Sequence, residues 1–248
     1  MFLRNSRRLA LSRDGENFLI HARRIIQVQN EAIAALNRSN SDGVIRFGLP
    51  EDYAELWLPE LLKKFYALRP GARPHIHCRM SLELLERLQA GELDLAIVSH
   101  LPAQPALSTK GLFDDELVAI LSPDHRLAGR RSLSPRDFTS EHLITYSVPA
   151  RQLTVFQQFF NPAGVTPARV SRVELTEAII EMVKANLGIA VMAHWAAARH
   201  LNAASLKALP LGRQGLHRRW YAVTRKSRRV APYLESFVGL LAGKGALV

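Results

Sequence analysis

The apolar positions near the start of the chain follow a heptad spacing. From Phe18 onward they recur at alternating steps of four and three residues on an otherwise polar stretch. The seam consists of Phe18, Ala22, Ile25, Gln29, Ala32 and Leu36. The spacing predicts a helix with Ser12 as its N-cap and an apolar stripe that has no core of its own to face. We interpret it as a dimerising linker helix; the alternative is an amphipathic helix packed on the rest of the chain.

Short strands flank this helix on one side and a polar loop on the other. The strands are predicted as a pair around an Asn5-Ser6 turn, and the loop is "NRSNSDG". After Gly43 the pattern changes to strands and helices in alternation. The predicted strands are "VIRFGL", "PHIHCRM" and "LDLAIVS", separated by the helices "EDYAELWLPELLKKFYALRPG" and "SLELLERLQAG", the second with Ser81 as N-cap. This order indicates parallel strands joined by right-handed crossovers, and hence an α/β fold.

A second alternating set follows. Its strands are predicted as "ELVAILSP", "HLITYS", "RVSRVEL" and "IAVMAHW". Its helices are a short one starting at Ser134, then "RQLTVFQQFF" and "TEAIIEMVKANLG", the last with Thr176 near its cap and Gly188 at its C′ position. The tail adds "LKALPL", a strand "RRWYAVTRK" and a closing helix "APYLESFVGLLAG". Two successive α/β sets predict two lobes, and we expect the last strand and helix to complete the first lobe.

Composition narrows the class of protein. The 248 residues are 48% hydrophobic and 22% charged, which is typical of a globular chain and argues against disorder. No apolar run approaches the roughly 18–20 residues that span a bilayer, and no secretion signal is visible. The single cysteine, Cys78, cannot form an internal disulfide, which fits a cytoplasmic location.

The net charge of +11 is concentrated in two clusters. Residues 1–38 contain seven arginines against three acids, and residues 213–229 contain seven bases and no acid. Such clusters attract polyanions, so nucleic acid is one candidate partner. Solubility explains the same charge equally well.

Recognisable catalytic chemistry is absent from the sequence. It contains no phosphate-binding glycine loop, no H-E-x-x-H and no G-x-S-x-G. His75 and His77 share a strand face, but no third ligand accompanies them, so a solvated face is favoured over a metal site. The carboxylates Asp114, Asp115 and Glu116 are interpreted as the solvated start of a strand. We therefore predict no enzyme activity, no metal site and no cofactor.

Three phrases in order resemble the LysR-type transcriptional regulators. The opening resembles the wing and linker helix of that family, matching at Phe2, Arg4, Arg8, Leu11, Ser12 and Gly15. "ELLERLQAGELDLAIV" resembles the helix-strand phrase of the first effector lobe, and "SPDHRLA" the phrase that enters the second, with Arg126 where proline is usual. Residues 113–195 look most similar to the homocysteine-responsive regulators of methionine synthesis. Ahead of them, "GLPEDYAE" is closer to the family at large.

The resemblance implies a fold and a domain plan. We expect two Rossmann-like lobes of periplasmic-binding-protein type-2 architecture, preceded by a wing remnant and a coiled-coil linker helix. The predicted boundaries are 1–42 for the wing remnant and linker, 43–117 with 222–248 for effector lobe I, and 118–221 for effector lobe II. We also expect a regulator fragment without its helix-turn-helix.

The resemblance further implies a small effector held in the cleft between the lobes, outside the carboxyl ends of the strands. The candidate effector-binding residues are Pro50, Glu51, Asp52, Tyr53, Met80, Ser81, Ser99, His100, Tyr146, Ser147, Thr176, Met192 and His194. Ser81 and Thr176 stand at predicted helix N-termini, which suit a ligand carboxylate, although both could be plain caps. Glu51 and Asp52 would repel an anion and could receive an α-amino group, so an amino-acid-like effector is one hypothesis.

Partners follow from the same resemblance. Arg4, Arg7 and Arg8 are expected to contact DNA phosphates in the intact protein, without reading bases. For the chain by itself we expect at most weak, salt-sensitive DNA binding. A homodimer or homotetramer is expected, with no membrane association. The alternative function is a solute-binding protein of the same fold without a DNA role, for which the linker helix would have no use.

Overall fold

A computed structural model describes residues 1–5, 8–36, 44–50, 53–54, 57–99, 101, 106–226 and 232–242. Its helices are α1 (Arg13–Leu36), α2 (Leu58–Leu68), α3 (Ser81–Gln89), α4 (Thr176–Lys184), α5 (His194–Asn202) and α6 (Pro232–Ala242). Its strands are β1 (Phe2–Asn5), β2 (Arg8–Leu11), β3 (Val44–Leu49), β4 (Arg73–Cys78), β5 (Leu95–Val98), β6 (Leu107–Leu121), β7 (His142–Tyr146), β8 (Arg169–Val173), β9 (Ile189–Ala193), β10 (Lys207–Pro210) and β11 (Leu216–Arg225).

The chain divides into two compact units by its internal contacts. Unit 1 comprises Met1–Val98, Pro102–Lys110 and Ala222–Leu241. Unit 2 comprises Ser99–Leu101, Gly111–Tyr221 and Ala242–Val248. The change of unit within β6 comes after Lys110, earlier than the predicted boundary at 117. The separation of 1–42 as a domain of its own stays a prediction.

Unit 1 begins with the strand pair and helix expected from the opening sequence. β1 and β2 are antiparallel, with Phe2 opposite Leu11. The Ser12 hydroxyl oxygen accepts a hydrogen bond of 3.1 Å from the Gly15 backbone N–H, so Ser12 is the N-cap of α1 as predicted. The polar loop predicted after α1 lies outside the described residues.

The rest of unit 1 is built on a parallel sheet, and the closing helix α6 packs against its core. β3 pairs in parallel with β4 on one side and β5 on the other. Phe237 of α6 packs its ring 4.6 Å from Phe47 and 5.0 Å from Phe65, between centroids. All three rings are buried, so the closing helix contributes to the core of unit 1. Within the predicted helix 51–71, α2 covers Leu58–Leu68 and residues 53–54 are also helical, while residues 51–52 and 55–56 lie outside the described residues.

Unit 2 has a mixed strand order. β7 is parallel to β8 and to β9, whereas β9 is antiparallel to β6, and β10 lies antiparallel on the other edge of β6. β6 is much longer than the predicted strand "ELVAILSP", because it starts at Leu107. The predicted strand "IAVMAHW" ends at Ala193, and His194 is instead the first residue of α5.

Two predicted helix termini are displaced by one or two residues. Met80 and not Ser81 occupies the N-cap of α3, whereas Thr176 lies next to the N-cap of α4, Leu175, as predicted. α4 ends at Lys184, so the left-handed C′ position falls on Asn186 (φ 57°) and not on Gly188. Gly188 has a different constraint. A Cβ there would lie 2.4 Å from the carbonyl oxygen of His142.

The predicted helix "RQLTVFQQFF" is irregular. It consists of a 3-10 turn at Ala150–Gln152 and a π-helical turn at Phe156–Phe160, followed by a 3-10 turn at Asn161–Ala163. The aromatic side chains explain the change of winding. Phe159 and Phe160 both pack against Phe138, at centroid distances of 5.9 and 5.0 Å, and a wider turn brings these two adjacent rings onto one partner.

Candidate functional site

The carboxyl ends of the parallel strands β3, β4 and β5 gather several predicted effector residues. Leu49 and Cys78 are register partners at the ends of β3 and β4, and the Arg79 N–H donates to the Leu49 carbonyl at 3.2 Å. Four predicted residues follow the ends of these strands: Pro50, Met80, Ser81 and Ser99. All four are half-buried, so each leaves part of its surface accessible. They lie at the carboxyl edge of the sheet, where open parallel sheets bind ligands.

The remaining predicted residues of this region divide into two kinds. Tyr53 is buried at 2% exposure, and its ring packs edge-on against Trp57 at 4.2 Å. It therefore belongs to the packed interior of unit 1 more than to an open edge. Glu51, Asp52 and His100 lie outside the described residues, and the amino-group hypothesis built on the first two stays a prediction.

The same arrangement recurs in unit 2. Tyr146 ends β7, and the N–H of Ser147 donates to the carbonyl of Val173 at the end of β8, at 3.0 Å. Thr176 is the first residue of α4, which follows β8, and His194 is the first residue of α5, which follows β9. Because β7, β8 and β9 are parallel, these positions share one edge of the sheet.

Met192 departs from this group. It lies on β9 opposite Val118 and is 1% exposed, inside the core of unit 2. A role in ligand binding needs an accessible atom, which this burial disfavours. All five residues of β9 are buried, so this strand has no alternation of buried and exposed positions. The sequence pattern therefore gave no sign that Met192 is inaccessible.

An open pocket of about 470 Å³ lies at the carboxyl end of β7. Its lining combines a serine, three small or apolar residues and two arginines: Ser147, Val148, Pro149, Ala150, Arg151 and Arg172. Of these only Ser147 was predicted from the sequence. The two arginines lie 21 positions apart and meet only because β7 and β8 are neighbours, so the local pattern around each gives no sign of the pocket.

A buried ion pair in unit 2 overturns the prediction that Asp115 is solvated. The Asp115 side chain is 0% exposed, and its carboxylate accepts hydrogen bonds from Arg218 Nε (2.8 Å) and Nη2 (2.9 Å). Trp195 Nε1 donates a further hydrogen bond at 3.0 Å. The Arg218 guanidinium also lies 4.7 Å from the centre of the Trp220 ring. Asp114, the preceding residue, does remain exposed.

Neither a metal cluster nor a membrane-spanning helix is found in the described residues. Within that part of the chain, no three His, Cys, Asp or Glu side chains come together as metal ligands. Burial, and then the charge of Arg87 and Arg79, lower the pKa of His77, which favours its neutral form. Among the residues with described positions, no helix is long and apolar enough to cross a membrane.

Comparison with known proteins decides the family. Residues 38–246 match the LysR substrate binding domain family. The chain belongs to the LysR family. The HTH-type transcriptional regulator MetR of Escherichia coli K12 is 31% identical over 238 residues, which cover 96% of this chain and 74% of that protein. MetR of Salmonella typhimurium LT2 is 30% identical over the same share of both chains.

Solved structures agree with the fold. The regulatory domain of MetR from N. meningitidis superposes with a TM-score of 0.74 at 28% identity, covering 84% of this chain and 96% of that one. Full-length BenM, at 18% identity, superposes with a TM-score of 0.72 over 100% of this chain and 82% of that one. These confirm the predicted α/β fold of periplasmic-binding-protein type 2.

The chain is thus the effector-binding portion of a LysR-type transcriptional regulator. The predicted resemblance is confirmed, including its placement near the regulators of methionine synthesis, since MetR proteins are among its relatives. The solute-binding alternative is not favoured. The MetR relatives are transcriptional regulators and not enzymes.

Helix α1 exposes apolar side chains in the part whose side chains are described, which ends at Gln29. Phe18 and Ile25 of the predicted seam are 50% and 64% exposed. Ala22 is half-buried and Gln29 exposed, while the side chains of Ala32 and Leu36 are not described. Three more apolar residues of α1 are exposed beside the seam: Ile20, Ile26 and Val28.

Part of the second basic cluster is engaged within the fold. In the second cluster Arg218 pairs with Asp115, and Arg225 donates to the carbonyl oxygens of Leu88 (2.9 Å) and Leu93 (3.1 Å). These two arginines therefore stabilise the fold. Of the three predicted DNA-contacting residues, Arg4 and Arg8 lie on β1 and β2 with undescribed side chains, and Arg7 lies outside the described residues.

Proposed function

We propose that this chain senses a small metabolite through the residues at the carboxyl edges of its parallel strands. The observation that supports this most is that eight of the thirteen predicted residues lie at the carboxyl end of a parallel strand or within three residues after it: Pro50, Met80, Ser81, Ser99, Tyr146, Ser147, Thr176 and His194. Structural neighbours have been solved with small molecules, the QuiR effector-binding domain with shikimate and the CcmR regulatory domain with 2-PG.

The effect of the metabolite is a population shift. A ligand changes the balance between two conformations only as far as it binds one of them better than the other. Moving such a balance from 1:99 to 99:1 requires about 10⁴-fold discrimination. Binding strength alone therefore does not predict the regulatory response, and the experiment must measure binding and assembly separately.

The binding test is a calorimetric titration of the chain with two sets of compounds. One set holds α-amino acids, including L-homocysteine, and the other simple organic anions. Thr176→Ala and Ser81→Ala should weaken whichever compound binds, since each removes a hydroxyl from a carboxyl edge. Ser108→Ala, an exposed serine on β6, is the matched control and should leave binding unchanged. A Kd that is unchanged by all three substitutions would contradict the proposed site.

The chain also acts, we propose, as part of a DNA-binding homodimer or homotetramer in the cytoplasm. The apolar residues exposed on α1 support self-association, because a stripe at heptad spacing is buried when two such helices pair. Arg4, Arg7 and Arg8 contribute phosphate contacts, whose affinity falls with rising salt. A DNA-binding titration of the complete regulator at several salt concentrations tests these contacts; a triple substitution to glutamine should flatten the slope. An unchanged slope would refute the role.

No catalytic step is proposed, and no cofactor. The matched relatives are transcriptional regulators, and the chemistry of binding and assembly accounts for the residues described above. A transport receptor of the same fold has no use for the exposed stripe on α1.

A further inference from the structure

The pocket beside β7 carries two arginines without a neutralising partner among the described residues. Arg151 and Arg172 are both exposed and both line the pocket. In the part of the chain that the structure describes, neither side chain takes part in an ion pair. Other arginines do so, such as Arg46 with Asp94 at 2.9 Å and Arg199 with Glu177 at 2.6 Å.

The six residues that line the pocket include no acidic side chain to compete for these charges. Glu174 is near in sequence and exposed, but it is not among the lining residues. The Ser147 hydroxyl adds a neutral hydrogen-bond donor. Guanidinium groups bind carboxylates and phosphates through paired N–H donors, so the polar part of the pocket suits an anion.

The remaining walls are apolar. Val148, Pro149 and Ala150 contribute small aliphatic surfaces on one side. A volume of about 470 Å³ lies within the range of about 300–1,000 Å³ that small-molecule sites occupy. A bare inorganic ion would leave most of this space to water, which favours an anion attached to a compact organic body.

The loop that forms the pocket is held in place by its backbone. The Ser147 N–H donates to Val173, the Gln152 N–H donates to Pro149 at 2.8 Å, and the Leu153 N–H donates to Ala150 at 3.0 Å. The side-chain amide of Gln157, in the π-helical turn, donates to the carbonyl of Arg151. A loop fixed at both ends loses little conformational freedom when a ligand enters.

From these observations we infer that the pocket of unit 2 binds the carboxylate or phosphate group of a small organic anion, with Arg151 and Arg172 as its charge partners. This inference rests on the proposed function, since it names the chemical class of metabolite and two residues that receive it. It needs no acid at Glu51 or Asp52, and it admits an amino acid through its carboxylate.

The test is a calorimetric titration of the full chain with five probes. Benzoate and succinate are carboxylates, inorganic phosphate is the bare ion, L-homocysteine is an amino acid, and L-homocysteine methyl ester lacks the carboxylate. The variants are Arg172→Gln and Arg151→Gln. Arg169→Gln is the matched control, because it removes an equal charge from an exposed position of the same strand outside the pocket. Circular dichroism checks that each variant is folded.

The expected result is that at least one organic anion binds the unaltered chain and that Arg172→Gln and Arg151→Gln each raise its Kd about tenfold or more. Arg169→Gln should change it by about twofold or less, as a distant screened charge does. Stronger binding of inorganic phosphate than of both carboxylates would contradict the organic part of the inference.

Three other outcomes would overturn the inference in distinguishable ways. Equal changes in Kd for Arg172→Gln and Arg169→Gln would rule out this pocket as the binding site, and an effector site elsewhere would remain compatible with the proposed function. Binding of the methyl ester alone would show a cation site and would also leave the proposed function standing. Failure of every probe at millimolar concentration would overturn the inference; the titration with Ser81→Ala and Thr176→Ala tests the proposed function separately.

Discussion

Asp114 and Asp115 are adjacent acids on β6, one exposed and the other buried. Replacing each with asparagine compares the stability that an exposed ion pair and a buried ion pair contribute. Asp115 pairs with Arg218, and the two side chains are 0% and 19% exposed. Asp114 pairs with Arg219 at 3.6 Å, with side chains 61% and 58% exposed. The substitution is chemically the same at neighbouring positions, so the difference in stability reports burial.

The magnitude follows from the contacts. Asp115→Asn leaves the Arg218 guanidinium enclosed without its counter-charge, and removal of one partner of a buried pair costs about 3–5 kcal/mol. Stacking of Arg218 on Trp220 offsets part of this loss, so the lower end of that range is expected. Asp114→Asn should cost about 0–1 kcal/mol, as exposed pairs do. For a chain of this size about 3 kcal/mol lowers the Tm by roughly 6–12 °C.

The assay is thermal unfolding followed by far-ultraviolet circular dichroism, supported by urea titration. Tryptophan fluorescence is unsuitable as the primary signal, because Trp195 and Trp220 both contact the ion pair. Adding Arg218→Met to Asp115→Asn should recover part of the stability, since the stranded charge is then gone. Equal Tm changes for the two asparagine variants would refute the reasoning.

Three further predictions concern other parts of the chain. Gly188→Ala should lower the free energy of unfolding in urea by about 1–3 kcal/mol, because the new Cβ meets the His142 carbonyl. Gly129→Ala is the control and should be near neutral, since nothing lies within 4 Å of its Cβ position. Equal effects of the two substitutions would contradict this prediction. Ile25→Glu should reduce the mass measured by light scattering, whereas Leu68→Glu, equally apolar and exposed but on α2, should leave it unchanged; the opposite pattern would place self-association elsewhere. Burial raises the pKa of Asp137, but hydrogen bonds from the Ser134 hydroxyl and backbone outweigh it and hold that pKa below 3.8. The ionised Asp137 therefore stabilises the fold above pH 3.8, and this stabilisation is lost as the pH falls through the folded-state pKa. Ser134→Ala should lower the stability at neutral pH and make stability depend less on pH in the acid range. An unchanged acid dependence would contradict the assignment.

The elements that sequence reasoning predicted well are those with strong local periodicity. β3, β7 and β8 lie within a residue or two of their predicted ranges, because each is a short apolar or alternating run bounded by turn residues. The N-cap of α1 was also predicted, since Ser12 contacts a backbone group only three positions away. Local chemistry is sufficient in these cases.

The misses depend on residues distant in the chain. Asp115 is buried because of Arg218, 103 positions later, and nothing near Asp115 in sequence signals that partner. The pocket arginines are brought together by the pairing of β7 with β8. The π-helical turn at Phe156–Phe160 responds to Phe138, which belongs to a separate turn. Tertiary packing decides each of these, and a reading of one segment at a time could not include it.

Metabolite binding at the carboxyl edges of the parallel strands is the central proposal, and the inferred anion pocket depends on it. Hydrogen–deuterium exchange of the chain, with and without the probe that binds it most tightly in the calorimetric titration, tests it without any substitution. Protection is predicted in peptides that cover residues 79–84, 147–151 and 172–177, and no change is predicted across α2. Protection confined to α2 or to the opposite ends of the strands would contradict the proposal.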